Sequence, residues 1–283
     1  MANRKLDMGA AWTQATALMG ANRDTLSAIA GLFFFLPAMA SALLVPELAN
    51  PPQPTAPPDA DPQLVMQAMM DQMTAIYAAN WPLLLAVLAV QFLGSMSLFA
   101  LLTDRGHPTV GEALATGVKS LPSYLAAQFL TVIGASLAIG IPLGVLSAFG
   151  GPAVGLLAAL LAVVLIVYAM IKLSLIGPVI AIEGQLNPLA AMGRSWQLTK
   201  GNSLRIFAFI LLLLLVIAVI LGLVSAVVTL ILSAIGGSVA TIGGAVIDAL
   251  VSALMAVIFL TVTVTIYRQL AGPSPERVAD VFE

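Results

Sequence analysis

Six apolar stretches, at residues 26–45, 81–102, 123–149, 153–182, 204–235 and 241–267, constrain this chain more than anything else in it. About 20 apolar residues suffice to cross the ~30 Å hydrocarbon core of a bilayer. Backbone polar groups in hydrocarbon must be satisfied internally, so spans of this kind are helices. The expected fold is all-α: a polytopic membrane protein with six transmembrane helices, forming one integral membrane domain over residues 1–283.

The eleven Lys and Arg residues orient the spans. Arg4, Lys5 and Arg23 precede span 1, and Arg105 and Lys119 lie between spans 2 and 3. Arg194, Lys200 and Arg205 lie between spans 4 and 5 or at the mouth of span 5, and Arg268 and Arg277 follow span 6. The loops 46–80, 150–152 and 236–240 contain none. Positive residues resist translocation, so both termini and the tail 268–283 are expected in the cytoplasm. Ala38-Met39-Ala40 is a small-x-small triplet after an apolar run. The run continues to Val45 and its leader carries Asp7 and Asp24, which suits a retained span better than a cleaved signal.

Composition removes several functions. Charged residues are 8% of the chain and hydrophobic ones 60%, so an ordinary soluble domain is excluded. The scattered basic residues leave no footprint for nucleic acid. With no Cys and a single His, His107, thiolate chemistry, disulfides and His-rich metal sites are excluded. A His-based triad would have to be built in Asp104-Arg105-Gly106-His107-Pro108, where turn chemistry accounts for the residues better. There is no phosphate loop ending in Lys-Ser/Thr and no gating arginine ladder. No catalytic residue, cofactor or metal is expected.

The segments outside the spans are more individual. Residues 1–25 hold a mildly amphipathic helix from Leu6, Ala10, Thr13 and Ala17, with Trp12 as interfacial anchor and Asn22 or Asp24 capping the start of span 1. The external loop 46–80 opens with a Pro-rich stretch, Pro46 to Pro62, expected to be an extended tether. Asp61-Pro62 then reads as a helix start, and the apolar spacing predicts an amphipathic helix over 62–79 before Trp81-Pro82 opens span 2. Met66, Met69, Met70 and Met73 suit a packing or partner face, soft sulfur for Cu(I) being the weaker alternative without a companion His or Cys. A cytoplasmic interfacial helix is expected within 183–203, with Leu189, Met192, Trp196 and Thr199 on one side and Arg194 and Gln197 toward the headgroups.

Inside the spans, Asp248 and Lys172 are the ionisable groups of interest. Asp248 lies about two turns into span 6, either in a functional pathway or near the external surface, wet or bonded to neighbouring hydroxyls. Lys172 is expected to snorkel toward the cytoplasmic interface. Gly140-x-x-x-Gly144 and Gly151-x-x-x-Gly155 predict close helix approach, Phe149-Gly150-Gly151-Pro152 a tight turn, and Pro37 and Pro142 kinks. Spans 4 and 5 are long, and a break at Gly177-Pro178 favours the end of span 4 leaving the core over a tilt that absorbs its length. Ala115-Thr116-Gly117 resembles Ala191-Met192-Gly193, and Gly20-Ala21-Asn22 resembles Gly201-Asn202. These echoes suggest three units, each a surface helix followed by a transmembrane hairpin.

Pro178-x4-Glu183 followed by Ala191-x3-Ser195-Trp196-x2-Thr199-Lys200-Gly201 resembles the signature of the membrane domain sometimes fused to glycerophosphodiester phosphodiesterases. The layout as a whole resembles the YciC-like family of bacterial inner-membrane proteins. The resemblance implies a bacterial cytoplasmic membrane, an accessory or lipid-associated role, and Glu183 and Lys200 as headgroup or partner contacts or as anchors of a surface helix. The phosphodiesterase activity belongs to a separate barrel domain for which this chain has no room. The resulting expectation is a non-enzymatic scaffold or accessory subunit that binds membrane lipid or another membrane protein. A transporter or lipid translocase using Asp248 or Lys172, and a lipid-modifying enzyme using Glu183, are the alternatives.

Overall fold

The structure, a computed structural model, describes residues 5–49, 61–103 and 108–272. The described residues are almost entirely helical, with no strand among them. In order they form α1 (Met8–Ala21), α2 (Arg23–Ala30), α3 (Leu36–Leu44), α4 (Pro46–Ala49), α5 (Pro62–Leu101), α6 (Val110–Ala135), α7 (Ile141–Phe149), α8 (Gly151–Leu173), α9 (Ile176–Glu183), α10 (Pro188–Thr199), α11 (Ser203–Ile235) and α12 (Gly237–Ala271). Six continuous helical stretches among them are long and apolar enough to cross a membrane, so the chain reads as a multi-pass membrane protein. His107 and most of the Pro-rich tether lie outside the described residues.

The helices form two compact units. One comprises residues up to Leu26, Ser95–Val216 and everything from Ile258 on; the other comprises Ser27–Gly94 and Ile217–Val257.

The first unit is built around the end of α12. Residues 261–267, Thr-Val-Thr-Val-Thr-Ile-Tyr, are buried on every side. A β-branched run of this kind has low helix propensity. Burial on all faces overrides the propensity, and two of the three threonines spend their hydroxyls locally, while the buried Thr261 hydroxyl has no hydrogen-bond partner among the described residues. Thr263 and Thr265 donate to the carbonyls of Phe259 and Val262 at 2.8 Å each. α9 is likewise buried from Ile176 to Ile182.

Close approach in this unit is made by glycines other than those of the two four-residue pairs. A Cβ on Gly117 would lie 2.2 Å from Ser97 Oγ and 3.0 Å from the Ser97 backbone nitrogen. One on Gly177 would lie 2.3 Å from Phe99 Cε2. Gly144, in contrast, has open space around its Cα, and Gly155 meets only Ser147. The pairs sit at the start of α7 and on α8, whose exposed faces are covered with Leu, Val and Ile, so the spacing alone does not select the packed face. The turn at 150–151 is as expected, with Gly151 at φ +73°.

Both sequence-predicted kinks are resolved as wide turns. Proline lacks the N–H that would close its own turn, and its ring crowds the carbonyl four residues back. Ahead of Pro142 the helix opens into a π-helical turn, Ser136–Gly140, in which the Ile141 N–H reaches back five residues to Ser136. In the second unit Gly31–Phe35 does the same ahead of Pro37, with the Leu36 N–H bonded to Gly31. There Gly94 lets α5 lie against Phe33, whose Cβ would be 2.3 Å from an added methyl.

Three expectations about elements are corrected. The arm 62–79 is not a separate helix: it is continuous with span 2 in the 40-residue α5, and Pro82 sits inside that helix. Pro46–Ala49, expected as the start of the tether, is a helical turn with Pro at its first position. The surface helix before span 3 is the first part of α6, whose Thr109–Glu112 capping box starts it at Val110. Of the repeat units, those before spans 1 and 5 keep a shared device. The Asn22 carbonyl accepts from the Leu26 N–H at 2.8 Å, and the Asn202 carbonyl from Ile206 at 2.9 Å.

Candidate lipid-facing site around Lys172

The site begins with an interruption. Pro178 cannot donate to the carbonyl of Ser174, four residues back, so the break falls upstream of Gly177-Pro178, between Leu173 and Ile176. Such a break leaves backbone groups of both helix ends open. Ser195 of α10 fills the gap. Its hydroxyl donates to the Lys172 carbonyl at 2.8 Å and accepts from the Leu175 N–H at 3.2 Å. Thr199 Oγ1 lies 3.4 Å from the same carbonyl and 3.0 Å from that of Ser195. The buried stripe of α10 is therefore Ala191, Ser195, Leu198 and Thr199.

This stripe differs from the one expected. Leu189 and Trp196 are exposed, at 65% and 45%. Arg194, expected toward the headgroups, instead donates through Nε to Glu183 at 3.1 and 3.2 Å. Tyr267 of α12 donates to the same carboxylate at 3.0 Å. A small, polar stripe wins the buried face because it meets backbone, where a large ring would not fit. Glu183 is thus held as a clasp joining α9, α10 and α12. Lys200 is exposed just past the end of α10.

Lys172 lies on the last turn of α8 and is 4% exposed. Rather than snorkelling to water, its ammonium stands 5.5 Å from the Tyr168 ring centroid and 5.4 Å from that of Trp196. The two rings meet edge to face at 5.9 Å. Aromatic faces attract a desolvated cation by about 2 kcal/mol. No carboxylate pairs with Lys172 among the described residues, where Glu183 is taken by Arg194.

Tyr168 is shared with a second feature. A surface groove of 530 Å³ runs between α8 and the first turns of α11, walled by Val164, Tyr168, Ile171, Ser203, Leu204 and Phe207. Its walls are apolar apart from Ser203 and the Tyr168 hydroxyl. The outer rim is open, Val164 being 63% and Leu204 78% exposed.

The N-terminal segment is tied to the same end of this unit. Leu6 N–H donates to Asn202 Oδ1 at 2.9 Å, and Arg205 reaches the Leu6 carbonyl at 3.4 Å. Gln269 brackets Asp7 by accepting its N–H at 3.1 Å and donating to its carbonyl at 3.2 Å. Asp7 then caps α1 through the Ala10 N–H at 2.9 Å. The buried face of α1 is Ala11 and Ala15, beside the buried Leu6, rather than Ala10 and Ala17, and Trp12 is 40% exposed. The Asn22 side chain closes the end of α1, donating to Leu18 at 2.9 Å. Arg268 donates to the Leu102 carbonyl.

The remaining candidates stand apart. Asp248, in the second unit, is exposed on α12 and has no cationic partner among the described residues. Met66, Met69 and Met70 are exposed on the first turns of α5, and Met73 is half-buried. Sequence reading missed Tyr168, Ser195, Tyr267 and Asn202 as site residues. The Tyr168-x3-Lys172 spacing, which puts both on one helix face, was the available signal for the first.

No curated protein and no solved structure matches the chain. Neither the phosphodiesterase-linked membrane domain nor the YciC-like family emerges among the matches. Residues 60–270, which include the α8–α9 break, the Lys172 cage, the Glu183 clasp and the groove, match a family described as Domain of unknown function (DUF7847), and the chain belongs to that family.

Proposed function

We infer that this protein is a non-enzymatic accessory or scaffold subunit of a bacterial cytoplasmic membrane, and that it works by holding membrane lipid. The observation that carries the reading is the apolar groove between α8 and α11, open on a face of membrane-spanning helices. An exposed apolar channel on such a face is filled by acyl chains in a bilayer, and a channel with a defined end holds a chain in one register. The polar groups around it are engaged in structural roles: Glu183 in its clasp, and Ser195 and Thr199 in the helix break. That arrangement favours binding over chemistry.

The charge of the loops supports an orientation with both termini and α10 in the cytoplasm and residues 46–80 outside. α5, at ~60 Å for 40 residues, is about twice the hydrocarbon thickness. Its Met-bearing start then stands clear of the membrane as a face for a protein partner. The groove is tested by purifying the protein in mild detergent and identifying bound lipid by mass spectrometry. Val164→Trp, which fills the groove from an exposed position, should strip the retained lipid while leaving the fold intact. Equal lipid retention by both proteins would overturn the reading.

A further inference from the structure

We propose that the groove takes one acyl chain of an anionic phospholipid, with the phosphate held at the end where Lys172, Trp196 and the start of α11 converge; this rests on the lipid-holding reading above. Three observations point there. First, the α8 wall runs from Val163 to Ile171, so the apolar channel ends at the residue preceding Lys172. Second, the channel ends on the other side at Ser203, the first residue of α11. The N-terminus of a helix of this length carries partial positive charge suited to phosphate. Third, the Lys172 ammonium is nearly buried, without a carboxylate among the described residues, and Tyr168 is at once a face of its aromatic cage and a wall of the groove.

The charge balance favours an anion. A buried lysine normally requires a counter-charge, and ring faces compensate only part of its lost hydration. The carboxylate nearest in the fold's logic, Glu183, is already bonded to Arg194 and Tyr267. A phosphodiester carrying one negative charge supplies what the site lacks, and its acyl chain fills the channel below. A zwitterionic lipid would fill the channel equally but bring its own cation to a place that already has one.

The test uses the full-length protein in detergent, titrated with phosphatidylglycerol or phosphatidylcholine of identical acyl chains. The wild type should bind phosphatidylglycerol about tenfold more tightly. Lys172→Gln should bring it to the level of phosphatidylcholine, and Val164→Trp should weaken both lipids together. If Val164→Trp weakens both but Lys172→Gln keeps the preference, the headgroup assignment is overturned while the lipid-holding reading stands. If Val164→Trp weakens neither, the groove reading fails and the inference with it. Should Lys172→Gln not fold, Trp196 fluorescence decides the matter in a protein with Trp12 and Trp81 replaced by Phe. Acyl-brominated phosphatidylglycerol should quench Trp196 at a lower mole fraction than brominated phosphatidylcholine, and superimposable quenching curves would overturn the proposal.

Discussion

Ser195 joins two helix ends with one side chain. One hydroxyl satisfies both an open carbonyl and an open N–H at the α8–α9 break. Leaving a buried backbone group unpaired costs about 1–3 kcal/mol. Thr199 can retain part of the Lys172 carbonyl bond, so Ser195→Ala should destabilise the protein by about 2 kcal/mol, read as a lower melting temperature in detergent. An unchanged melting curve would mean that water replaces the hydroxyl. Gly177 makes a different kind of demand. A methyl there would overlap the buried Phe99 ring, so Gly177→Ala should cost about 1–3 kcal/mol through overpacking. Phe99→Leu combined with it should recover part of the loss, because neighbouring sites do not add. Strictly additive destabilisation would place the conflict elsewhere.

At the scale of elements, α10 is a plug as well as a surface helix. Its small stripe closes the α8–α9 break, and its other side leaves Leu189 and Trp196 exposed. Replacing Trp196 by Ala removes one of the two rings over Lys172 without supplying a counter-charge. The protein should accumulate less in the membrane and melt earlier, by an amount equivalent to about 1–3 kcal/mol. The motif Ala191-x3-Ser195-x3-Thr199 was legible in the sequence, but its meaning was not. A hydropathy pattern ranks Leu189 and Trp196 as the residues to bury, whereas the neighbour here is an opened backbone that only small hydroxyl side chains can approach. α5 tells the opposite story. Its turn signals, Asp61-Pro62 and Trp81-Pro82, both have the form of helix starts, yet only the first is one. Pro82 frees the carbonyl of Ala78 from its helical partner, but one missing bond does not end a helix continued by the apolar residues on both sides of it. Deleting 62–79 should leave the melting temperature unchanged, since Leu64, Met66, Met69 and Met70 are exposed, and should abolish co-purification of any protein partner. A bundle that unfolds on deletion would make this arm an internal lid.

For the whole molecule, the orientation is the most direct matter to test. Single cysteines in place of Glu47 and Lys200, both exposed and in a chain with no native Cys, should react with an impermeant thiol reagent from opposite sides of the membrane. Labelling from the same side would overturn the proposed arrangement. The number of apolar helices and their approximate limits were readable from the chain alone, because a bilayer is a slab whose thickness and charge asymmetry act on each segment separately. The positions of Gly151 at a turn and of prolines behind the wide turns were legible for the same reason, being local backbone constraints. Packing between helices settled the rest. Lys172 could snorkel or be buried, and it was the arrival of Trp196 from another helix that gave its ammonium a place inside. Gly117 and Gly177, not the glycines at regular spacing, became the contact points because Ser97 and Phe99 of α5 face them. Within hydrocarbon, apolar surface is no guide to which faces meet; the unsatisfied polar atom and the space for a backbone to pass are, and both depend on the neighbour.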